Sequence, residues 1–78
     1  MSDIVIGGVY EHYKGKRYKV IALGRDSDTL EDVVIYEGQY DSEEFGNNPV
    51  WVRPVVEFVE QVVVGGVEQP RFAYTGKQ

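Results

Sequence analysis

Val50-Trp51-Val52-Arg53-Pro54 is the stretch on which the fold turns. Its first four residues suit a strand, and successive side chains of a strand point to opposite faces. Trp51 and Arg53 therefore share one face, and Val50 and Val52 the other. Pro54 brings no N–H to a ladder, so the strand should stop there. From Pro54 to Phe58 the chain suits one helical turn, with Pro54 at its first position and Glu57 near its positive end. The stretch also holds the only tryptophan and one of eight basic residues.

Working outward, Phe58 to Val64 and Val67 to Tyr74 read as a hairpin around Gly65-Gly66, a dipeptide suited to tight turns. Pro70 makes the second of these strands an edge, or breaks it. Gly76-Lys77-Gln78 is expected to fray. Upstream, Gly38 to Pro49 is acidic and unpatterned (Asp41, Glu43, Glu44) and reads as a loop. Before it, Asp32 to Glu37 reads as a strand with Val33 and Ile35 opposite Val34 and Tyr36. Gly24 to Thr29 is a structured polar loop, rich in side chains that bond their own backbone.

The first strand runs from Gly8 to Tyr13, turns at Lys14-Gly15 and returns from Lys16 to Leu23. A two-residue loop puts Val9, Glu11, Tyr13, Lys16, Tyr18 and Val20 on one face. Tyr10, His12, Arg17, Lys19 and Ile21 fall on the other. The first face is the expected core, centred on Val9, Tyr18 and Val20.

Apolar runs dominated by Val, Ile, Tyr and Phe, with Gly or Pro at short intervals, define an all-β chain. At 78 residues there is room for one domain, folded over about residues 7 to 74. Five or six short antiparallel strands and one helical turn cannot bury their apolar faces in a flat sheet. A small curled or closed barrel of the SH3-like kind is the expected architecture, with a split α+β sheet as runner-up.

Composition excludes several chemistries. With no cysteine there are no disulfides, thiol nucleophiles or Cys-ligated zinc, and a reducing cytoplasm is the expected address. No apolar run of about 18 residues is present to span a bilayer, and Met1-Ser2-Asp3-Ile4 lacks the start of a signal peptide. No membrane partner is expected. Net charge is −5, unevenly spread: the five charged residues from Lys14 to Arg25 are all basic, whereas Asp26 to Asn48 holds eight acids and no base.

The ordered pieces Gly8-Val9-Tyr10-Glu11-His12-Tyr13-Lys14-Gly15, Tyr18-Lys19-Val20, Ser27-Asp28-Thr29-Leu30-Glu31, Val34-Ile35-Tyr36, Trp51-Val52-Arg53-Pro54 with Phe58, and Pro70-Arg71-Phe72 carry a resemblance. Together they resemble the small bacterial and phage family filed as domain of unknown function 1653. The resemblance spans Gly8 to Phe72 and implies a compact bacterial β domain, without an activity, cofactor or catalytic residue. In the loop this chain has Asp26 where the family tends to have histidine, and Asp28 where glutamate is usual. A role needing an imidazole there does not transfer.

His12 is the only histidine. A metal site needs about three or four ligands, and a catalytic base needs a nucleophile within reach. Neither is offered, so His12 reads first as a cross-strand neighbour of Arg17. Ser27 and Thr29 read as turn formers. Asp26 with Asp28, and Glu43 with Glu44, lack the glycine and closing glutamate of a calcium loop and read as solvated. No metal or cofactor is expected.

Trp51 with Arg53 is the constellation best suited to recognition, because an indole beside a guanidinium can stack on a planar group and fork to a carboxylate or phosphate. Tyr36, Tyr10, His12 and Arg71 are expected to border it. The structural alternative has Trp51 capping the core while Arg53 pairs with Asp28 or Glu31. Three functions follow, in this order. The first is a non-catalytic binding module for a peptide segment or small anionic ligand. The second is a single-stranded nucleic-acid binder using the basic hairpin, opposed by the net charge. The third is a small enzyme using His12.

Overall fold

The computed structural model describes residues 4–77. Its main element is a five-stranded antiparallel sheet. It is formed by β1 (Gly8–His12), β2 (Arg17–Arg25), β3 (Asp32–Gly38), β6 (Val50–Pro54) and β9 (Phe72–Lys77), in the order β6-β3-β2-β1-β9. Two ribbons are inserted between these strands. One pairs β4 (Asp41–Ser42) with β5 (Gly46–Asn47), and the other pairs β7 (Gln61–Val64) with β8 (Val67–Pro70). A single turn of helix, α1 (Val55–Phe58), follows β6. No helix of the described residues is long and apolar enough to cross a membrane.

The fold is all-β with one short helix, but no pairing closes β6 onto β9 among the described residues. The closed SH3-like barrel is therefore not found, and the sheet is open and curled. Tyr36 on β3 and Phe72 on β9 have ring centroids 5.4 Å apart. Three strand spacings of about 4.8 Å would separate them in a flat sheet. Irregular registers at Val9/Tyr10 and Val20/Ala22 fall inside the sheet, where such bulges bend strands and raise their twist.

The first hairpin is one residue out of the expected register. Tyr10 lies opposite Tyr18 and Val9 opposite Lys19. The cause is the turn: the loop is Tyr13-Lys14-Gly15, closed by the His12 N–H donating to Lys16 O and the Gly15 N–H to His12 O, both at 2.7 Å. Gly15 has φ +106°, as the last residue of a three-residue loop with a glycine bulge requires. A one-residue slip reverses every side chain. Tyr10 and His12 thus join Tyr18 and Val20 on the concave face, and Val9 is buried on the opposite one.

The core on that concave face is Tyr10, Val20, Val34, Tyr36, Phe58 and Phe72, with Ile4, Tyr18, Trp51 and Val55 packed against it. Pro54 is the residue preceding the helix rather than its first member, with φ −57° and ψ 140°, so α1 starts one position later than expected. It delivers Phe58, 2% exposed, into the curl. There Phe58 lies flat on Phe72, with centroids 4.2 Å apart and planes within 7°.

The Gly65-Gly66 turn is as expected. Both residues have positive φ and join Val64 to Val67 directly, the requirement of a two-residue hairpin loop. The chain breaks out of this ribbon after Pro70, and β9 crosses to pair with β1. Gly76 and Lys77 lie opposite Val9 and Gly8, so the expected fraying does not occur there, and Gln78 lies outside the described residues.

Phe58→Ala should lower unfolding stability by about 3–5 kcal/mol, as truncating a buried aromatic does, and that is a large fraction of a small domain's total. Urea unfolding followed by Trp51 fluorescence measures it. A loss below about 1 kcal/mol would mean that the helical turn is not what holds the curl.

Candidate functional site

Trp51 and Arg53 do share the concave face, opposite Tyr36 and Val34 respectively on the neighbouring strand. The Arg53 guanidinium is bracketed on three sides. Its Nε donates to Tyr36 Oη at 3.1 Å, its Nη1 lies 3.5 Å from Glu57 Oε1, and its Cζ sits 5.7 Å from the Phe72 ring centroid. The acid is Glu57, four residues on, rather than Asp28 or Glu31 of the β2–β3 loop, because the α1 turn brings residue 57 back over β6. The pair stays near solvent, with the Arg53 side chain 30% exposed.

Trp51 is half-buried rather than sealed. Its ring meets Phe45 at 5.1 Å, edge to face, and its Nε1 is buried without a hydrogen-bond partner among the described residues. Phe45 reaches it because the acidic loop is a short hairpin, in which Ser42 Oγ accepts the Glu44 and Phe45 N–H groups at 3.2 and 3.1 Å.

Arg71, in the kink between β8 and β9, donates through Nη2 to Glu60 Oε1 at 2.7 Å, and its Nε is buried and unpartnered. Its side chain is 22% exposed. Its carbonyl accepts the Tyr13 N–H at 3.0 Å, tying the kink to the first hairpin's turn.

His12 stands between these groups rather than beside Arg17, which lies opposite Glu11. Its ring centroid is 4.5 Å from Tyr13 and 4.9 Å from Phe72. Its Nδ1 accepts the Lys14 N–H at 3.2 Å. Burial, with the cations Arg53, Arg71 and Lys14 nearby, pushes its pKa below the usual imidazole value.

Tyr10 and Tyr36 sit deeper than the sequence suggested. Tyr10 is core, with its hydroxyl accepting the Val5 N–H at 3.0 Å. Tyr36 is buried, and its hydroxyl serves Arg53. Tyr18 and Tyr40 take the outer positions, with hydroxyls 3.4 Å apart and rings 5.6 Å apart, and Lys16 Nζ lies 4.3 Å over the Tyr40 ring. Sequence reasoning missed both as site residues. The signal for Tyr40 was Gly38: a Cβ there would come within 2.5 Å of the tyrosine ring, so glycine makes room for it.

The acidic β2–β3 loop holds itself together. Asp26 Oδ1 accepts the Asp28 and Thr29 N–H groups at 2.8 and 3.1 Å, which lowers the Asp26 pKa, and Thr29 Oγ1 accepts the Glu31 N–H at 3.2 Å. Among the described residues no three His, Asp or Glu side chains gather as metal ligands. The concave face offers half-buried cations, N–H donors and aromatic rings. It is suited to holding an anionic group.

Burial, then the Tyr40 hydroxyl, raises the Tyr18 pKa above the usual phenol value of 10.0. The native state then holds a proton that the unfolded chain releases, so stability should fall as pH rises above about 10. Tyr18→Phe should flatten that alkaline loss in urea melts. An unchanged slope would show that Tyr18 does not carry it.

A model of the protein family described as "Protein of unknown function (DUF1653)" matches residues 8–74. A crystal structure of a DUF1653 protein from Bordetella bronchiseptica is similar at 38% identity and a TM-score of 0.84, covering 97% of this chain and 92% of that one. Among curated proteins, none matches. The chain belongs to the DUF1653 family.

Proposed function

We propose that this DUF1653 domain is a non-catalytic binding module whose concave face receives an anionic group, carried by a small ligand or a peptide segment. The observation that carries it is that Arg53 and His12 border the same Phe72 ring, the guanidinium carbon at 5.7 Å and the imidazole at 4.9 Å from its centroid, while the Arg71 carbonyl is tied to the Tyr13 N–H beside them. Glu57 and Glu60 each engage one terminal nitrogen of an arginine. The Nε1 of Trp51 and the Nε of Arg71 are covered and have no partner among the described residues, an arrangement uncommon in folded proteins, and an acceptor on a ligand reaches them once the side chains over them shift. The aromatic rings of Tyr18, Tyr40 and Phe72 add apolar area for the rest of such a ligand.

Catalysis is less well supported. The His12 Nδ1 is occupied by a backbone N–H, and among the described residues no carboxylate is hydrogen-bonded to the ring. Nucleic acid is also disfavoured: Arg17 is 3.8 Å from Glu11 and Arg25 3.5 Å from Asp32, so the basic hairpin's charge is partly offset within its own sheet.

NMR titration of the domain with pools of phosphorylated and carboxylated metabolites, and with peptides, tests this. The Trp51 indole and the Arg53 and Arg71 Nε–H signals should shift on binding. Arg53→Ala and Arg71→Ala should each weaken the interaction about tenfold or more, the worth of a charge-assisted hydrogen bond. Silence of these signals toward every pool would refute the binding face. Salt-dependent shifts with single-stranded oligonucleotides alone would move the assignment to nucleic acid.

A further inference from the structure

We propose that oxyanion binding on this face is coupled to proton uptake by His12, so that the domain holds a phosphate, sulfate or carboxylate group more tightly as the solution becomes more acidic. The inference presupposes the anion-binding face proposed above and adds its regulation.

The geometry around His12 supplies the coupling. From the hairpin turn, Lys14 donates its backbone N–H to Nδ1, so the neutral ring carries its proton on Nε2 and offers one donor. Tyr13 flanks the ring from the same turn, Tyr18 from β2 at 6.4 Å, and Phe72 from β9. Arg53 from β6, 5.7 Å from the same Phe72 ring, and Arg71 from the β8–β9 kink, whose carbonyl accepts the Tyr13 N–H, bring the permanent charges. Glu11, the nearest acid in sequence, points to the other face and lies 3.8 Å from Arg17. The carboxylates Glu57 and Glu60 are engaged by the arginines.

An imidazolium in this position is opposed first by burial and then by three like charges, and an anion that joins them offsets the second. A bound oxyanion thereby favours the charged ring. The proton comes from solvent and adds to Nδ1, turning it from acceptor to donor. The Lys14 N–H it releases is exposed and passes to water. The protonated ring then presents two donors in place of one. By linkage, an anion that raises the His12 pKa must bind more tightly when His12 is already protonated. The sign is definite: affinity rises as pH falls through the imidazole range.

His12 is the only histidine, so its ring signal needs no assignment and no other side chain ordinarily titrates near neutrality. Sulfate is the probe, because its charge does not change over about pH 4.5 to 7.5, which takes in the ordinary imidazole range and the region below it into which burial and the nearby cations move His12; benzoate tests the carboxylate source. In the full chain, sodium sulfate should move the His12 titration midpoint upward, whereas sodium chloride at equal ionic strength should not. Apparent sulfate affinity should be about threefold or more higher at the acidic end of that range. His12→Gln should lose the pH dependence, holding sulfate no more tightly at the acidic end than the parent chain does at the neutral end, and Arg53→Gln should abolish the midpoint shift. Sulfate binding that moves the Arg53 and Trp51 signals while the His12 midpoint stays put would overturn the coupling and leave the anion site standing. Failure of both sulfate and benzoate to move any of these signals at either pH would overturn the coupling and the anion site together.

Discussion

Phe58 lying on Phe72 at 4.2 Å is the contact on which the rest of the molecule depends. An open sheet has two edges, and here the element attached to one edge strand packs on a ring from the other. Phe58 belongs to the turn that follows β6, and Phe72 opens β9. Tyr10 and Tyr36 complete the plug, at 5.3 and 5.5 Å from Phe58. Each such ring contributes about 1.5–3 kcal/mol by leaving water, with edge-to-face contacts adding less. In a chain without disulfides, this plug lets a sheet stay curled without closing its ladder.

The plug also creates the site. With the sheet curled, the outermost strands bring their side chains toward one another, so Arg53 of β6 lies over a ring of β9. Arg71, one residue before that ring, is carried along, and the backbone bond from Tyr13 to its carbonyl places the first hairpin's turn beside it. Three segments far apart in sequence therefore meet at the rim of the aromatic plug. The arginines are tolerable there because hydroxyl, carboxylate and ring faces surround them near solvent, where a charge need not be fully dehydrated.

Much of this was legible in the sequence, because alternation and turn chemistry are local. Trp51 and Arg53 share a face by strand period alone, Gly65-Gly66 gave its turn, and Pro70 marked a true break. The first hairpin failed on its closing pair: Lys14-Gly15 serves either a two- or a three-residue loop, both with positive φ at the glycine, and only the His12–Lys16 hydrogen bond separates them. That slip hid the fact that His12 shares a face with Tyr18. The Glu57 partner of Arg53 is local, four residues on, but the Phe72 ring beside that guanidinium and the pairing of β9 with β1 are long-range facts, set by where the Pro70 kink directs the chain. No periodicity encodes them.

The charge asymmetry acquires a meaning once these positions are known. The acids from Asp26 to Asn48 lie mostly in loops and ribbon ends, while Arg53, Arg71 and Lys14 gather within the concave rim. Fields between exposed charges are damped over about 8 Å at physiological salt. At the rim the nearby charges are those of the arginines and of Glu57 and Glu60, which pair with them. A long polyanion would have to lie across the acidic loops as well, and would meet the net charge of −5. The same distribution that opposes a nucleic-acid strand is the reason the proposed ligand is a compact oxyanion and not an extended polyanion.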